Sequence, residues 1–276
     1  MYRNIKFGIC SELFKNWPWE KVVNYISSIG YDGVEIAPFT FAPSVTQVSY
    51  SERRKIREAA KKNNLGIIGL HWLLLSPPGL SITSSDKVIR EETTNYLKEL
   101  INFCADLEGR IMVFGSPKQR SIPPGVPYEE AWRRAKECFL EILPLAKQRD
   151  VIIALEPLSR KETNFINTLE EALRMINEIK DENFRLTLDV KAMCDEGKTI
   201  SEIISSSKGY LAHFHANDVN LLGPGFGKID YLPIREALEG IDYVGWVSVE
   251  IFDFSSYSSE TIAERSLNYL REVFKE

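Results

Sequence analysis

Eight short, mostly apolar runs recur along the chain, each followed by a longer stretch with apolar residues three and four apart, and few folds accommodate that order. The runs span residues 5–10, 33–36, 65–70, 110–114, 151–156, 185–189, 211–215 and 246–251. Val151-Ile-Ile-Ala-Leu155 is wholly apolar, as expected of a parallel strand covered on both faces. The helix-like stretches cover 19–28, 51–63, 85–107, 128–148, 168–179, 199–206, 232–238 and 258–274. Thr168 with Glu171 three residues on resembles a capping box, and Gly30 is placed to stop the first helix. Eight alternations predict an α/β fold, a single (β/α)8 TIM barrel over residues 1–276. A doubly wound open sheet would want Gly-x-Gly-x-x-Gly after its first strand; the chain has Gly8-Ile9-Cys10-Ser11-Glu12-Leu13, and no P-loop.

The length of 276 residues suits one such barrel. With 44% hydrophobic and 26% charged residues, the composition excludes a disordered or collagen-like chain. A formal charge of −5, from signs mixed along the chain, argues against a nucleic-acid partner. The first residues have no signal-peptide pattern, and the most apolar segment, 65–75, is too short for a bilayer and contains His71; a cytoplasmic protein without a membrane partner is expected. Cys10, Cys104, Cys138 and Cys194 lie far apart, which reads as four buried, reduced thiols.

The longest irregular stretches, 37–50, 72–84, 115–127 and 216–231, all follow strands, so a barrel would gather them on the carboxyl-end face where active sites form. The last four strands each end in a potential metal ligand: Glu156, Asp189, His215 and Glu250, separated by 33, 26 and 35 residues, one strand-helix-strand unit per step. Singly, such a carboxylate commonly caps a helix or pairs with a cation. Three carboxylates brought together at the ends of apolar strands would repel one another unless a cation held them. An oxygen-rich set with one imidazole suits a divalent cation, Mn²⁺ first, with Mg²⁺ or Co²⁺ as alternatives.

At these residues the chain resembles the xylose isomerase-like TIM barrels, and within them the sugar phosphate isomerase/epimerase group that includes the D-tagatose 3-epimerase-like proteins. The stretches that carry the resemblance are Leu155-Glu156-Pro157-Leu158, Glu162-Thr163-Asn164-Phe165-Ile166-Asn167-Thr168, His213-Phe214-His215-Ala216-Asn217-Asp218 and Val249-Glu250. It implies that Glu156, Asp189, His215 and Glu250 hold the metal, that Glu156 and Glu250 are the catalytic acid/base pair, that Glu162 touches substrate, and that homo-oligomers are common. A metal on the carbonyl and adjacent hydroxyl oxygens of a ketose acidifies the intervening C–H and stabilises the enediolate. One carboxylate removes the proton, and the other returns it to the opposite face or to the neighbouring carbon, giving an epimerase or an isomerase of a small carbohydrate.

Around that centre, His71 and Trp72 end the third strand, where a polar contact and a sugar-stacking platform would fit. His213 shares a strand face with His215 and suits a supporting role, while Asp218 is placed to accept the second N–H of His215. Lys118 and Arg120 put two cations in the loop after the fourth strand, suited to a phosphate or carboxylate on the substrate. The ketose epimerases carry a histidine in an Asp-Thr-x-His-Met stretch and an arginine soon after the metal histidine; this chain has Asp189-Val190-Lys191-Ala192-Met193 and Asn220-Leu221-Leu222. Lys191 as a substrate-binding cation points toward a sugar phosphate or keto acid. Endonuclease IV-like relatives need several histidines, and 3 His are too few. The alternatives are a metal-dependent dehydratase of an inosose or dehydroshikimate-like substrate, and a non-catalytic sugar-binding barrel.

Overall fold

The computed structural model describes residues 5–274, which form a closed barrel of parallel strands in sequence order, β1 through β8, with β1 pairing β8. The strands are β1 (Ile5–Cys10), β2 (Gly33–Ile36), β3 (Gly66–Leu70), β4 (Ile111–Phe114), β5 (Ile152–Leu155), β6 (Phe184–Asp189), β7 (Leu211–Ala216) and β8 (Gly245–Val249). The helices are α1 (Trp19–Ile29), α2 (Tyr50–Lys62), α3 (Lys87–Asp106), α4 (Pro117–Arg120), α5 (Tyr128–Gln148), α6 (Leu169–Ile179), α7 (Val190–Met193), α8 (Ile200–Ser206), α9 (Leu232–Gly240) and α10 (Ser259–Phe274). The apolar runs and periodic stretches therefore become the expected strands and helices, with ends moved by a residue or two. The short turns α4 and α7 lie in loops after β4 and β6 and carry no apolar periodicity of their own.

Alternation along each strand divides the interior in two. On β4, Met112 and Phe114 face outward into the large core shared with the helices, whereas Ile111 and Val113 pack with Ile68 and Ala154 inside the barrel. Trp246 closes that inner cluster, and its ring leaves no room for a side chain at Gly33, where a Cβ would come within 2.7 Å of it.

Gly30 ends α1 at φ 103°, the left-handed conformation that glycine adopts without cost. The expected capping box at α6 is half formed. Thr168 accepts from the Glu171 N–H, but the Glu171 carboxylate reaches past Thr168 to the Asn167 N–H at 2.6 Å. Three cysteines are buried free thiols; Cys194, directly after α7, is exposed, because that turn ends at the surface. No helix among the described residues is long and apolar enough to cross a membrane.

Candidate active site

Parallel strands deliver their carboxyl ends to one face of the barrel, and four side chains meet there. Ligand-capable atoms of Glu156, Asp189, His215 and Glu250, one from each of the last four strand ends, all lie within 4.8 Å of one another. All four residues are buried, and Glu156, Asp189 and Glu250 line a chamber of about 90 Å³. Gly115 makes room for one of them, since a Cβ there would stand 2.3 Å from Glu156 Oε2.

The donor set fits a cation. His215 Nε2 lies 3.2 Å from both oxygens of Glu35, so its N–H has an acceptor there. Its Nδ1 makes no hydrogen bond, yet it stands 2.9 Å from Glu250 Oε2 and 3.5 Å from Glu156 Oε1. That nitrogen needs a positive charge, its own proton or a bound cation, facing the two carboxylates; burial opposes charge on the ring, but Glu250 and Glu35 outweigh it and raise its pKa well above the usual histidine range. Burial, with the Glu156 and Glu250 charges added, pushes Asp189 up to about 7. Asp189 is held by the Ala192 N–H at 2.8 Å and by the amide of Asn217, so it also caps α7.

Beneath this cluster lies a buried polar network that takes in every histidine of the chain. His71 Nε2 is 2.8 Å from Glu12 Oε2, and its Nδ1 is 3.1 Å from Glu250 Oε1. Burial alone would lower the His71 pKa, but the Glu12 charge and hydrogen bond outweigh it and hold the ring at about 10. Glu250 responds in kind: burial opposes its charge, and His215 with His71 overcomes that and lowers its pKa. Glu35 takes His213 Nε2 at 2.9 Å on the oxygen that also approaches His215. Burial would raise the Glu35 pKa, but the two imidazoles leave it well below the usual carboxylate range.

Glu35 and Glu12 were not among the residues singled out from the sequence. A signal existed, since Glu35 sits inside the apolar run Val34-Glu35-Ile36 and a charge in a covered strand needs a partner. Asp218, expected to accept from His215, instead accepts the Ile229 N–H at 3.0 Å. His71, expected as a polar substrate contact, borders the chamber with both ring nitrogens facing carboxylates.

Trp72 is half-buried in the chamber wall at φ 53°, tilted against Phe252, and its Nε1–H has no partner. Glu162 and Lys191 also line the chamber, bound to each other at 2.7 Å. The Lys191 ammonium lies 4.1 Å from the centre of the Phe252 ring. The expected anion-binding pair after β4 is not brought to the chamber. Within α4, Lys118 turns out to solvent, while Arg120 turns inward, fully buried, and donates to the Glu156 carbonyl at 2.6 Å and the Ile166 carbonyl at 2.9 Å. Residues two apart on a helical turn point in different directions, so the two cations could not serve one ligand.

The family described as xylose isomerase-like TIM barrel matches residues 23–273. A probable ketose 3-epimerase of Synechocystis sp. is 26% identical over 98% of this chain and 97% of its own length. A D-psicose 3-epimerase of Ruminiclostridium cellulolyticum is 27% identical over 85% of this chain and 80% of its own. Among solved structures, a D-psicose 3-epimerase determined in the presence of D-fructose superimposes with a TM-score of 0.85 at 20% identity, covering 98% of this chain and all of that one, which establishes the shared fold.

Proposed function

The chain belongs to the xylose isomerase-like TIM barrel family, and from that premise we propose that it is a divalent-cation-dependent sugar epimerase or isomerase acting on a ketose. The convergence of Glu156, Asp189, His215 and Glu250 in one buried chamber carries the reading. These four residues would hold the cation, Mn²⁺ first, with Mg²⁺ or Co²⁺ as alternatives. When bound, the cation would draw electron density from the substrate's carbonyl and hydroxyl oxygens and acidify the C–H between them.

The chain's own residues do the rest. Glu156 follows β5 and Glu250 follows β8, with His215 of β7 between them. That spread suits two carboxylates working from opposite sides of one carbon, one removing the proton and the other returning it to the far face. Trp72 and Phe252 wall the chamber with rings on which a sugar's C–H face can rest, and Glu162 keeps Oε2 without a partner for a hydroxyl. The relatives described above are 3-epimerases, which favours inversion of the carbon beside the carbonyl; none of them is named a dehydratase.

The test is incubation of a ketose panel with Mn²⁺-loaded protein in deuterated water, read by mass spectrometry and NMR. Deuterium should enter beside the carbonyl without loss of water. Glu156→Gln and Glu250→Gln should each slow that exchange roughly 10²–10⁴-fold. Loss of water from the substrate, or a protein that binds no divalent cation, would overturn the reading.

A further inference from the structure

The chamber does not end at its own walls. Glu162, Lys191 and Phe252 line it on one side and also line a second cleft, which runs outward past Ser159, Asp195, Val219 and Leu221. By the same measure the cleft holds about 340 Å³ against about 90 Å³ for the chamber, so the larger volume lies outside the reacting centre.

Its chemistry is specific. Among the described residues that line either space, the cations are Lys161, Lys191 and the His71 ring, and each is already paired: Lys161 with Asp195 at 3.0 Å, Lys191 with Glu162 at 2.7 Å, His71 with Glu12 and Glu250. Ser159 donates to the second Asp195 oxygen. Arg120 is buried against main-chain carbonyls and Lys118 faces solvent outside both spaces. A phosphate or carboxylate would find no uncommitted cation. What the cleft offers is a ring face at Phe252, aliphatic side chains at Val219 and Leu221, and a polar edge of balanced charge. That combination matches a sugar ring, which has a C–H face and a hydroxyl rim.

Leu221 is held there at a cost. Its φ of 70° lies in the left-handed region, and two N–H groups, of Phe252 and Asp253, donate to its carbonyl at 2.9 Å. Its side chain nonetheless stays 42% exposed, and that of neighbouring Val219 53%. Strain that fixes an exposed apolar side chain at the rim of a site is the kind that binding explains better than folding does.

We propose that the outer cleft is a subsite for a neutral glycosyl substituent, so that the preferred substrate is a glycosylated ketose, its keto unit in the chamber and its attached sugar against Phe252, Val219 and Leu221. This rests on the epimerase reading above. It replaces the expectation of a sugar phosphate or keto acid, which placed Lys191 and Lys118 as anion-binding groups.

The test compares solvent deuterium exchange beside the carbonyl for fructose, fructose 6-phosphate and two glucosyl-fructoses, isomaltulose (linked through O6) and leucrose (linked through O5), on the Mn²⁺-loaded full chain. One glucosyl-fructose should show kcat/KM at least about tenfold above that of fructose, and the phosphate ester should not exceed fructose. Leu221→Asp, with Val219→Asp as a second variant, should lower the glucosyl-fructose to fructose ratio toward unity. Fructose matching or exceeding both glucosyl-fructoses overturns the subsite and leaves the epimerase reading standing, as does a preference for the phosphate ester. Exchange on none of them sinks both.

Discussion

Glu35 carries two imidazoles on one carboxylate in the floor of the barrel, and its charge is the one on which the orientation of His215 depends. Its pKa is depressed below the ordinary 4.5, so its contribution to stability is complete above about pH 4.5 and is lost as the pH falls through the folded value. Chelator-treated wild type should therefore lose more unfolding free energy between about pH 4.5 and pH 3 than Glu35→Gln does, by urea denaturation; equal losses in that window would contradict the assignment. Glu12 acts one residue further out. It meets Nε2 of the ring whose Nδ1 faces Glu250, so Glu12→Gln should loosen Glu250 without touching the chamber. The expected effect is a loss of about 10–100-fold in metal affinity or turnover, as for other partners of ligands. Chelator competition and kcat measured together decide it, and no change in either would refute the link.

At the scale of elements, what positions the site is how closely strands and loops approach one another. Gly115, just past the end of β4, stands so near Glu156 of the β5 end that an added methyl would displace the carboxylate. Because the clashing atom is the tip of a flexible side chain, Gly115→Ala should leave the unfolding midpoint nearly unchanged while slowing exchange by about tenfold to a hundredfold. A large fall in the midpoint would place the role of Gly115 in folding. The α4 turn shows the opposite case, in which the functional expectation failed. The sequence Pro117-Lys118-Gln119-Arg120 displays two cations, but only tertiary contact decides that Arg120 becomes a strut between the Glu156 and Ile166 carbonyls. Burial lowers its pKa to about 10, and the nearby Glu156 charge opposes that fall. Arg120→Met should destabilise the fold by roughly 1–3 kcal/mol, because the Glu156 carbonyl loses its Arg120 donor in a dry interior while the Ile166 carbonyl keeps the Leu158 N–H, and denaturant titration measures it.

For the whole molecule, the four candidate ligands come from four consecutive strands, β5 to β8, so a bound cation would tie half the barrel together. Free metal at 100 times its Kd should stabilise the fold by about 2.7 kcal/mol, and a chelator should remove that increment, seen as a fall in Tm by calorimetry. A Tm indifferent to the chelator would mean that the cluster binds no cation. The sequence by itself determined the barrel: apolar runs too continuous for a half-exposed sheet, alternating eight times with amphipathic stretches, leave little else to build. It also determined that four side chains able to ligate a cation end successive strands, because one strand-helix-strand unit sets the spacing between them. Only the tertiary structure decided what surrounds them. Closing the barrel sets β1 beside β8, which brings Glu12 and Glu250, more than two hundred residues apart in the chain, to the two ring nitrogens of His71. The same closure puts Glu35 of β2 against His215 of β7 through the barrel's interior, a contact no local pattern contains. Lys191, a free cation in the sequence, finds Glu162 in the folded chain, because a charge entering a low-dielectric chamber is stable only with its counter-charge.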